Sequence, residues 1–532
     1  MRWIRFAVAV AIGSALLTET QTASVSAQEP PARRPLFHFT PEKNFINDPN
    51  GCLYLHGQYH LFYQHNPEGD RWGHMSWGHA VSKDLVRWEH QPLALREEDG
   101  IMIFSGSAVF DAENTSGLGT NAEPPVVAVY TGDGKGKQTQ NLAASGDGGR
   151  TWKKYAKNPV SDIGSNSYRD PKVFWHRPTS RWIMATVLAD DRRVRIWGSE
   201  NLKDWKQLSE FGPAGSTQGV WECPELLEVP IDEPERPAKP GDYETAWVLK
   251  VDVNAGAPFG GSGGQYFVGK FNGTTFTPEH SEPGSEPNRE PLWIDFGKDF
   301  YAAQAFNNAP ATGQPVWIAW MNNWQYANDI PTAPWRGAMT LPRSLSLRKT
   351  PAGLRLVQAP VTGLESLRGP AKTIAERDVP VEGVSLAEAG VKGQTLEIVA
   401  KFAPGASEQC GLKVREGNGE ETLVGLDFRA GTVFVDRTRS GDVSFSKDFA
   451  GRHAAKLEVD PNNQLYKLHV IVDATSVEVF ADGGRVVLTD QIFPRPDSQG
   501  VSLFATHGSA KLVSLQAWEL KPTAEKSSDA KP

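Results

Sequence analysis

The sequence predicts an all-β chain, a five-bladed β-propeller followed by a C-terminal β-sandwich, and three observations predict it. Short apolar runs recur with Gly, Pro, Asn and Asp between them, and no long stretch of 3.6-residue periodicity interrupts residues 36–345. A turn box repeats within that region. Ser82-Lys83-Asp84-Leu85-Val86-Arg87-Trp88 returns as Ser145-Gly146-Asp147-Gly148-Gly149-Arg150-Thr151-Trp152, and in degenerate form as Ser199-Glu200-Asn201-Leu202-Lys203-Asp204-Trp205. Repetition every 50–65 residues or so in an all-β chain fits blades of four strands, and residues 36–345 have room for five. From 378 to 520 the chain alternates apolar and polar residues, as in 395–402, 421–428 and 466–472, which fits a sandwich.

The elements follow in order. Arg2 and Arg5 precede an apolar run from Phe6 to Leu17, and small residues then end in Val25-Ser26-Ala27. That is the pattern of a secretory signal peptide, residues 1–27, cleaved after Ala27. The run is short for a membrane span of about 20 residues. The mature protein is therefore expected outside the cytoplasm, extracellular or periplasmic. Residues 52–55 and 58–63 flank His56-Gly57 and read as a hairpin, and 126–130, 172–175, 182–187, 246–251, 266–270 and 316–321 read as further strands. Residues 346–377, punctuated by Thr350-Pro351-Ala352-Gly353 and Leu367-Arg368-Gly369-Pro370, read as a linker, and 521–532 as a polar, disordered tail.

Composition narrows the function. The 532 residues include 17 Trp, 51 Gly and 38 Pro, which favours strands, turns and stacking surfaces. The net charge of −8 is spread through the chain with no basic patch, which argues against nucleic acid as a partner. Three cysteines, Cys52, Cys223 and Cys410, are too few for a disulfide framework and are expected as buried or half-buried thiols.

Three carboxylates attract attention. Asp48 begins Asp48-Pro49-Asn50-Gly51, a turn recipe that many hairpins could carry. Gln64, Asn66, Trp72, Trp77 and His79 follow, a mix of amides and rings that suits sugars as well as blade cores. Asp170 stands beside Arg169 at a strand start, where the positive charge should keep it ionised. Glu222, between Trp221 and Cys223, has low-polarity neighbours of the kind that raise a carboxyl pKa for general acid work, while Glu225 reads as an ordinary solvated carboxylate. Each has a bland reading, as turn residue, surface ion pair or solvated acid. Together they could converge on a propeller axis.

The order Asn47-Asp48-Pro49-Asn50-Gly51, Phe104-Ser105-Gly106-Ser107, Arg169-Asp170-Pro171, Glu222-Cys223-Pro224, with Ser476-Val477-Glu478-Val479-Phe480 in the sandwich, resembles the β-fructosidases of glycoside hydrolase family 32: invertases, exo-inulinases and levanases. The family often has an aromatic and a Met before Asn-Asp-Pro, and here Phe45-Ile46 stand there, a volume-conserving change. The resemblance implies Asp48 as nucleophile, Glu222 as acid/base and Asp170 as the stabiliser of fructosyl hydroxyls. It implies a pocket lined by Asn47, Gln64, Trp72, Phe104, Ser105, Arg169 and Trp320. It also implies retention of configuration, with the two reacting carboxyls roughly 5–5.5 Å apart. Fructan or sucrose is the implied substrate, with no metal or organic cofactor. Residues 320–326, 330–332 and 334–336 resemble the exo-inulinase and levanase branch. The rivals are a sialidase, whose Tyr nucleophile and arginine cluster have no counterpart here, an inverting arabinanase or xylosidase, a fructosyltransferase, and a non-catalytic glycan-binding propeller.

Overall fold

His56 and Gly57 adopt φ +50° and +82° and close an antiparallel hairpin between Asn44–Leu55 and Gln58–Asn66. Two successive positive φ values match the right-handed twist of the strands they join. The structure is a computed structural model that describes residues 33–120, 123–232, 244–279, 290–309, 314–457 and 465–523. The signal peptide expected at residues 1–27 and the end of the tail, 524–532, lie outside the described residues. Among the described residues the helical content is three short 3-10 turns.

Five antiparallel sheets form the propeller. Their first strands are Asn44–Leu55, Met102–Phe110, Tyr168–His176, Trp221–Pro230 and Tyr301–Ala305. Each first strand packs against the next, and the fifth returns to the first, which closes the ring around an axis. Trp335–Arg336 pair in parallel with Asn44 and Phe45, tying the end of the fifth sheet to the first. Apolar faces meet between neighbouring blades: Val127, Val129 and Leu142 against Tyr168 and Met184, then Ile183 and Ile196 against Leu249 and Val251. Burial on both faces explains why strands such as Ser76–Ser82 are covered along their whole length.

The three turn boxes occupy equivalent places, between the third and fourth strands of blades 1, 2 and 3. In the second, Asp147 Oδ1 accepts from the backbone N–H of Arg150 at 3.1 Å and of Thr151 at 2.9 Å, and Trp152 Nε1 donates back to the Gly149 carbonyl. Trp205 Nε1 likewise donates to the Leu202 carbonyl. The box is a side-chain-locked turn with an indole plug.

The expected linker is corrected in its first half. Arg343–Thr350 and Gly353–Pro360 form an antiparallel hairpin that joins Val316–Met321 and completes blade 5. Thr350-Pro351-Ala352-Gly353 is thus the turn of that hairpin, with Gly353 at φ +99°. Leu345, Leu347 and Leu356 are buried from it, so it belongs to the blade core. The 3-10 turn Thr362–Leu367 makes the actual crossing, and Lys372–Ile374 already pairs with Ala510–Glu519 of the sandwich.

A seven-stranded and a six-stranded sheet form the sandwich around Ile398, Leu412, Val424, Leu468, Val479 and Leu503. Its flank covers the propeller: Ile471, Phe480 and Val487 pack with Phe39, Phe306, Met339 and Leu341. Buried ion pairs cross the same seam. Arg343 meets Asp295 and Glu478, and Arg437 meets Asp299. The His38 ring lies 2.8 Å from both Asp473 and Glu478. All three cysteines are free, Cys52 and Cys410 buried and Cys223 half-buried.

Candidate active site

All five first strands are broken near their beginnings by a register shift. Ladder pairing skips Asn47 and Asp48 in blade 1, Phe104 and Ser105 in blade 2, Asp170 and Pro171 in blade 3, Cys223 and Pro224 in blade 4, and Ala302 and Ala303 in blade 5. Proline has no N–H to lose from a ladder, so Pro49, Pro171 and Pro224 are tolerated there. Asp170, Cys223 and Ala302 take φ +61°, +47° and +56°, a region that costs non-glycine residues energy and clusters at functional sites. Bulges re-aim side chains, and here they gather residues from five blades at one mouth of the axis.

Asp48 is buried. Its Oδ1 accepts from Asn47 Nδ2 at 3.0 Å and its Oδ2 from Ser105 Oγ at 2.6 Å. The Cys223 thiol lies 3.5 Å from Asp48 Oδ2 and 3.7 Å from Asp170 Oδ2, and the Cys223 N–H donates to Asp170 at 2.9 Å. Thr131 Oγ1 accepts the Asp170 N–H. Glu222, the most open of the three, is held from two sides. Arg169 Nη2 donates to its Oε1 at 3.1 Å, and the Tyr301 hydroxyl donates to its Oε2. Cys223 and Arg169 therefore link Asp48, Asp170 and Glu222 into one cluster.

Burial raises the Asp48 carboxyl; the Ser105 hydroxyl opposes the rise and the Glu222 charge adds to it. Burial likewise pushes Asp170 up to about 7, against Arg169 and with help from Glu222 and Asp48. The expectation that Arg169 keeps Asp170 ionised is corrected: a guanidinium Nε at 3.8 Å does not offset the loss of water around a carboxyl 6 % exposed. Burial and the two aspartates hold the Cys223 thiol protonated, with its pKa well above the ordinary value.

The surroundings of Glu222 also differ from expectation. Trp221 turns into the core between blades 3 and 4, so Glu222 sits between a cation and a phenol. Glu225 is not solvated. It is buried inside the axis and pairs with Lys172 at 2.7 Å.

Of the expected pocket residues, Asn47, Ser105 and Arg169 belong to the cluster. Trp72, 42 % exposed, meets the half-buried Phe104 edge-on at 6.0 Å on the rim. Gln64 is buried, its Nε2 donating to the Ile103 carbonyl and Asn50 Oδ1. Trp320 is corrected: it is fully buried between Phe45, Tyr301 and Trp324, so it supports the mouth from beneath and offers no ring face to a ligand.

Sequence reasoning missed Tyr301 and the pair Lys250 and Asp252. Lys250 Nζ pairs with Asp252 and donates to the Cys223 and Ala303 carbonyls, which ties the bulges of blades 4 and 5 together. The i, i+2 spacing of Lys250 and Asp252 puts both on one strand face, a signal present in the sequence; Tyr301 had none. Among the described residues no group of three His, Cys, Asp or Glu side chains is arranged to hold a metal ion.

Comparison with known proteins matches this geometry to a family. The glycosyl hydrolases family 32 N-terminal domain profile matches residues 38–360, and the family 32 C-terminal profile matches 363–519. The levanase of Bacillus subtilis (strain 168) is 48 % identical over 494 residues, 92 % of this chain and 70 % of that protein. The extracellular exo-inulinase of Aspergillus awamori is 40 % identical over 520 residues, 92 % of this chain and 94 % of the relative. The crystal structure of exo-inulinase from A. awamori superposes with a TM-score of 0.85 at 38 % identity, covering 93 % and 99 % of the two chains. The fructofuranosidase of Schwanniomyces occidentalis, complexed with fructose, superposes with a TM-score of 0.80 at 33 % identity, covering 92 % and 98 %. With both halves of the chain matched and the fold shared from end to end, this protein belongs to glycoside hydrolase family 32 and is a glycoside hydrolase.

Proposed function

We propose that this glycoside hydrolase releases fructose from β-fructans of the levan or inulin kind, cleaves sucrose as well, and acts outside the cytoplasm. The observation that carries the reading is the meeting of Asp48, Asp170 and Glu222 from blades 1, 3 and 4 at one mouth of the axis. The substrate class follows from the relatives, named levanase and extracellular exo-inulinase, and from the fructose held by a related structure. The apolar run before Ala27 and the extracellular relatives support export.

In the proposed mechanism Asp48 attacks the anomeric C2 of a terminal β-fructofuranosyl unit. Glu222, steadied by Tyr301 and Arg169, passes a proton to the leaving oxygen as the glycosidic bond breaks. Water then gives a proton to Glu222 and attacks C2, which frees Asp48 and the sugar with net retention. Such a double displacement needs the two carboxyls roughly 5–5.5 Å apart. Asp170 binds ring hydroxyls, and Asn47, Ser105 and Arg169 complete the polar wall. Trp72 and Phe104 stack on the apolar edges of the sugar.

The test uses residues 28–532 with levan, inulin and sucrose in parallel, products being resolved by chain length over time. Fructose alone from the start, together with a fall of roughly 10³-fold or more in kcat for Asp48→Ala, supports the proposal. Early oligosaccharides mean internal cleavage, and longer fructans made from sucrose mean transfer. An Asp48→Ala protein with wild-type turnover removes Asp48 from the mechanism.

A further inference from the structure

Among the described residues Trp72 and Trp175 are the two most exposed tryptophans. Trp72 is on the rim of the carboxylate cluster. Trp175 is elsewhere: it follows Asp170 by five residues on the same strand, roughly 16 Å further along that strand at about 3.3 Å per residue. It therefore stands at the opposite end of the propeller, beside a cleft of about 380 Å³ formed where the first strands of blades 2, 3 and 5 end.

The wall of this cleft is fixed. Trp175 meets Trp182 edge-on at 5.0 Å. Trp182 Nε1 donates to Thr115 Oγ1 at 2.9 Å, and that hydroxyl donates to the fully buried Asp111 at 3.0 Å. Some of the polar groups around the ring are unengaged. Glu113 and Arg177 line the cleft, are exposed, and make no side-chain hydrogen bond or ion pair among the described residues. Asn308 donates to the Tyr54 carbonyl, while its Oδ1 accepts nothing among the described residues. The cleft thus joins a rigid aromatic platform to an exposed cation, an exposed anion, an amide and the buried Asp111 carboxylate, with no excess of positive charge. It suits a neutral polyhydroxylated ligand, whose C–H faces stack on the indole while its hydroxyls bond the rim, and it does not suit a phosphate or a nucleic acid.

We infer that the Trp175 cleft is a second, non-catalytic binding site for a β-fructan chain. The ligand class rests on the function proposed above; the site itself rests on the cleft. A chain held here cannot run straight into the carboxylate cluster, because the body of the propeller separates the two. The cleft therefore acts by keeping the polymer near the enzyme, which raises the effective concentration of chain ends. Small substrates gain nothing from it.

The test is native electrophoresis through gels containing levan or inulin, with Asp48→Ala as the background so that the polymer survives. The expected result is retardation of the parent in at least one polymer, its loss in Trp175→Ala, and its recovery in Trp175→Phe, which keeps an aromatic face. In the otherwise wild-type enzyme, Trp175→Ala should raise KM severalfold on that polymer and leave kcat and KM on sucrose unchanged. A Trp175→Ala protein that migrates like the parent in both gels overturns the site, as does one whose loss on sucrose equals its loss on polymer. The functional reading fails separately, when the wild-type enzyme frees fructose from none of the three substrates.

Discussion

Asp170 is 6 % exposed with its carboxyl pushed up to about 7, so near neutral pH it is divided between its two forms. Its folded value lies above the ordinary 3.8. Its contribution to stability is therefore complete below about pH 4 and is lost as pH rises through 7. Asp170→Asn removes the buried charge and keeps the shape. The expected outcome is a Tm about 2 °C or more above wild type at pH 8, no gain at pH 4, and near-complete loss of turnover. Melting curves at the two pH values check it, and an equal shift at both would show that the charge is not the cause. Tyr301 calls for a different experiment. Burial and the Glu222 charge hold its phenol protonated, so it remains a donor to Glu222. Tyr301→Phe should lower kcat by about 10- to 100-fold, since a hydrogen bond to a charged group is worth about 1.5–3 kcal/mol, with Tm little changed. Kinetics beside a melting curve separate the two readouts. These two residues also mark where sequence reading reaches and where it stops. The carboxylates and Arg169 were legible because each stands in a motif of unusual neighbours. The Asp170 pKa was not, because the sequence displays Arg169 and hides the burial that outweighs it. Tyr301 acts across blades, and nothing adjacent to it in the chain reports its partner.

At the scale of elements, the turn boxes and the bulges differ in what they do and in how openly the sequence declares them. In the box of blade 2, Asp147 accepts from four groups of one turn: the N–H groups of Arg150 and Thr151, and the Ser145 and Thr151 hydroxyls. Its slight burial acts to raise the carboxyl, but the Thr151 and Ser145 hydroxyls and the turn's N–H groups hold it at about 2. A depressed folded value means stability that is present above about pH 4 and fades as pH falls through 2. Asp147→Ala should lower Tm at pH 7 by a few degrees and leave the sucrose KM unchanged, because the turn lies at a blade edge away from the cluster. Thermal melting with a sucrose assay is the check, and a changed KM would tie the box to the active site. The box was legible since its sequence is its structure: Ser, Asp and Trp all bond within eight residues. The hairpin at Thr350–Gly353 carried an equally clear turn signal, yet a turn signal alone does not say whether the strands on either side pair with each other or part. Only the burial of Leu345, Leu347 and Leu356 decides that. The five bulges were less legible still: each adds one residue to its strand, and in strands buried on both faces the resulting shift of alternation does not show, which leaves only three prolines as a trace.

Across the whole molecule, the seam between propeller and sandwich combines an apolar contact with buried charge, and pH acts on the second. Burial works against a charge on His38, but hydrogen bonds and charges from Asp473 and Glu478 overcome it and raise the imidazole to about 9. A His raised above its ordinary 6.5 contributes stability that is fully present below about pH 6.5 and is lost as pH rises through 9. Burial also acts to raise Glu478, yet Arg343 and His38 depress it to about 2, so its share is present above about pH 4.5 and lost only in strong acid. The two windows overlap between about pH 4.5 and 6.5, where the seam should be tightest. Heating the wild-type protein at a series of pH values should show a Tm that declines from pH 6.5 to 9.5. In His38→Gln the decline should flatten, while the Tm at pH 6 falls below wild type, since Asp473 then loses its imidazolium partner and Glu478 keeps only Arg343. The control is Asp147→Ala, which should keep the wild-type alkaline slope. A His38→Gln slope identical to wild type would place the alkaline loss in another group. The apolar half of the seam has no such dependence: Ile471, Phe480 and Val487 cover Phe39, Phe306 and Met339 at any pH. A chain ending at residue 361 would expose that face at every pH, so it should aggregate even at pH 6, where the full-length protein melts highest. Light scattering of the truncated chain beside the full chain distinguishes this from a propeller that stands alone, which would stay monomeric and show that the sandwich contributes to stability only through its charges.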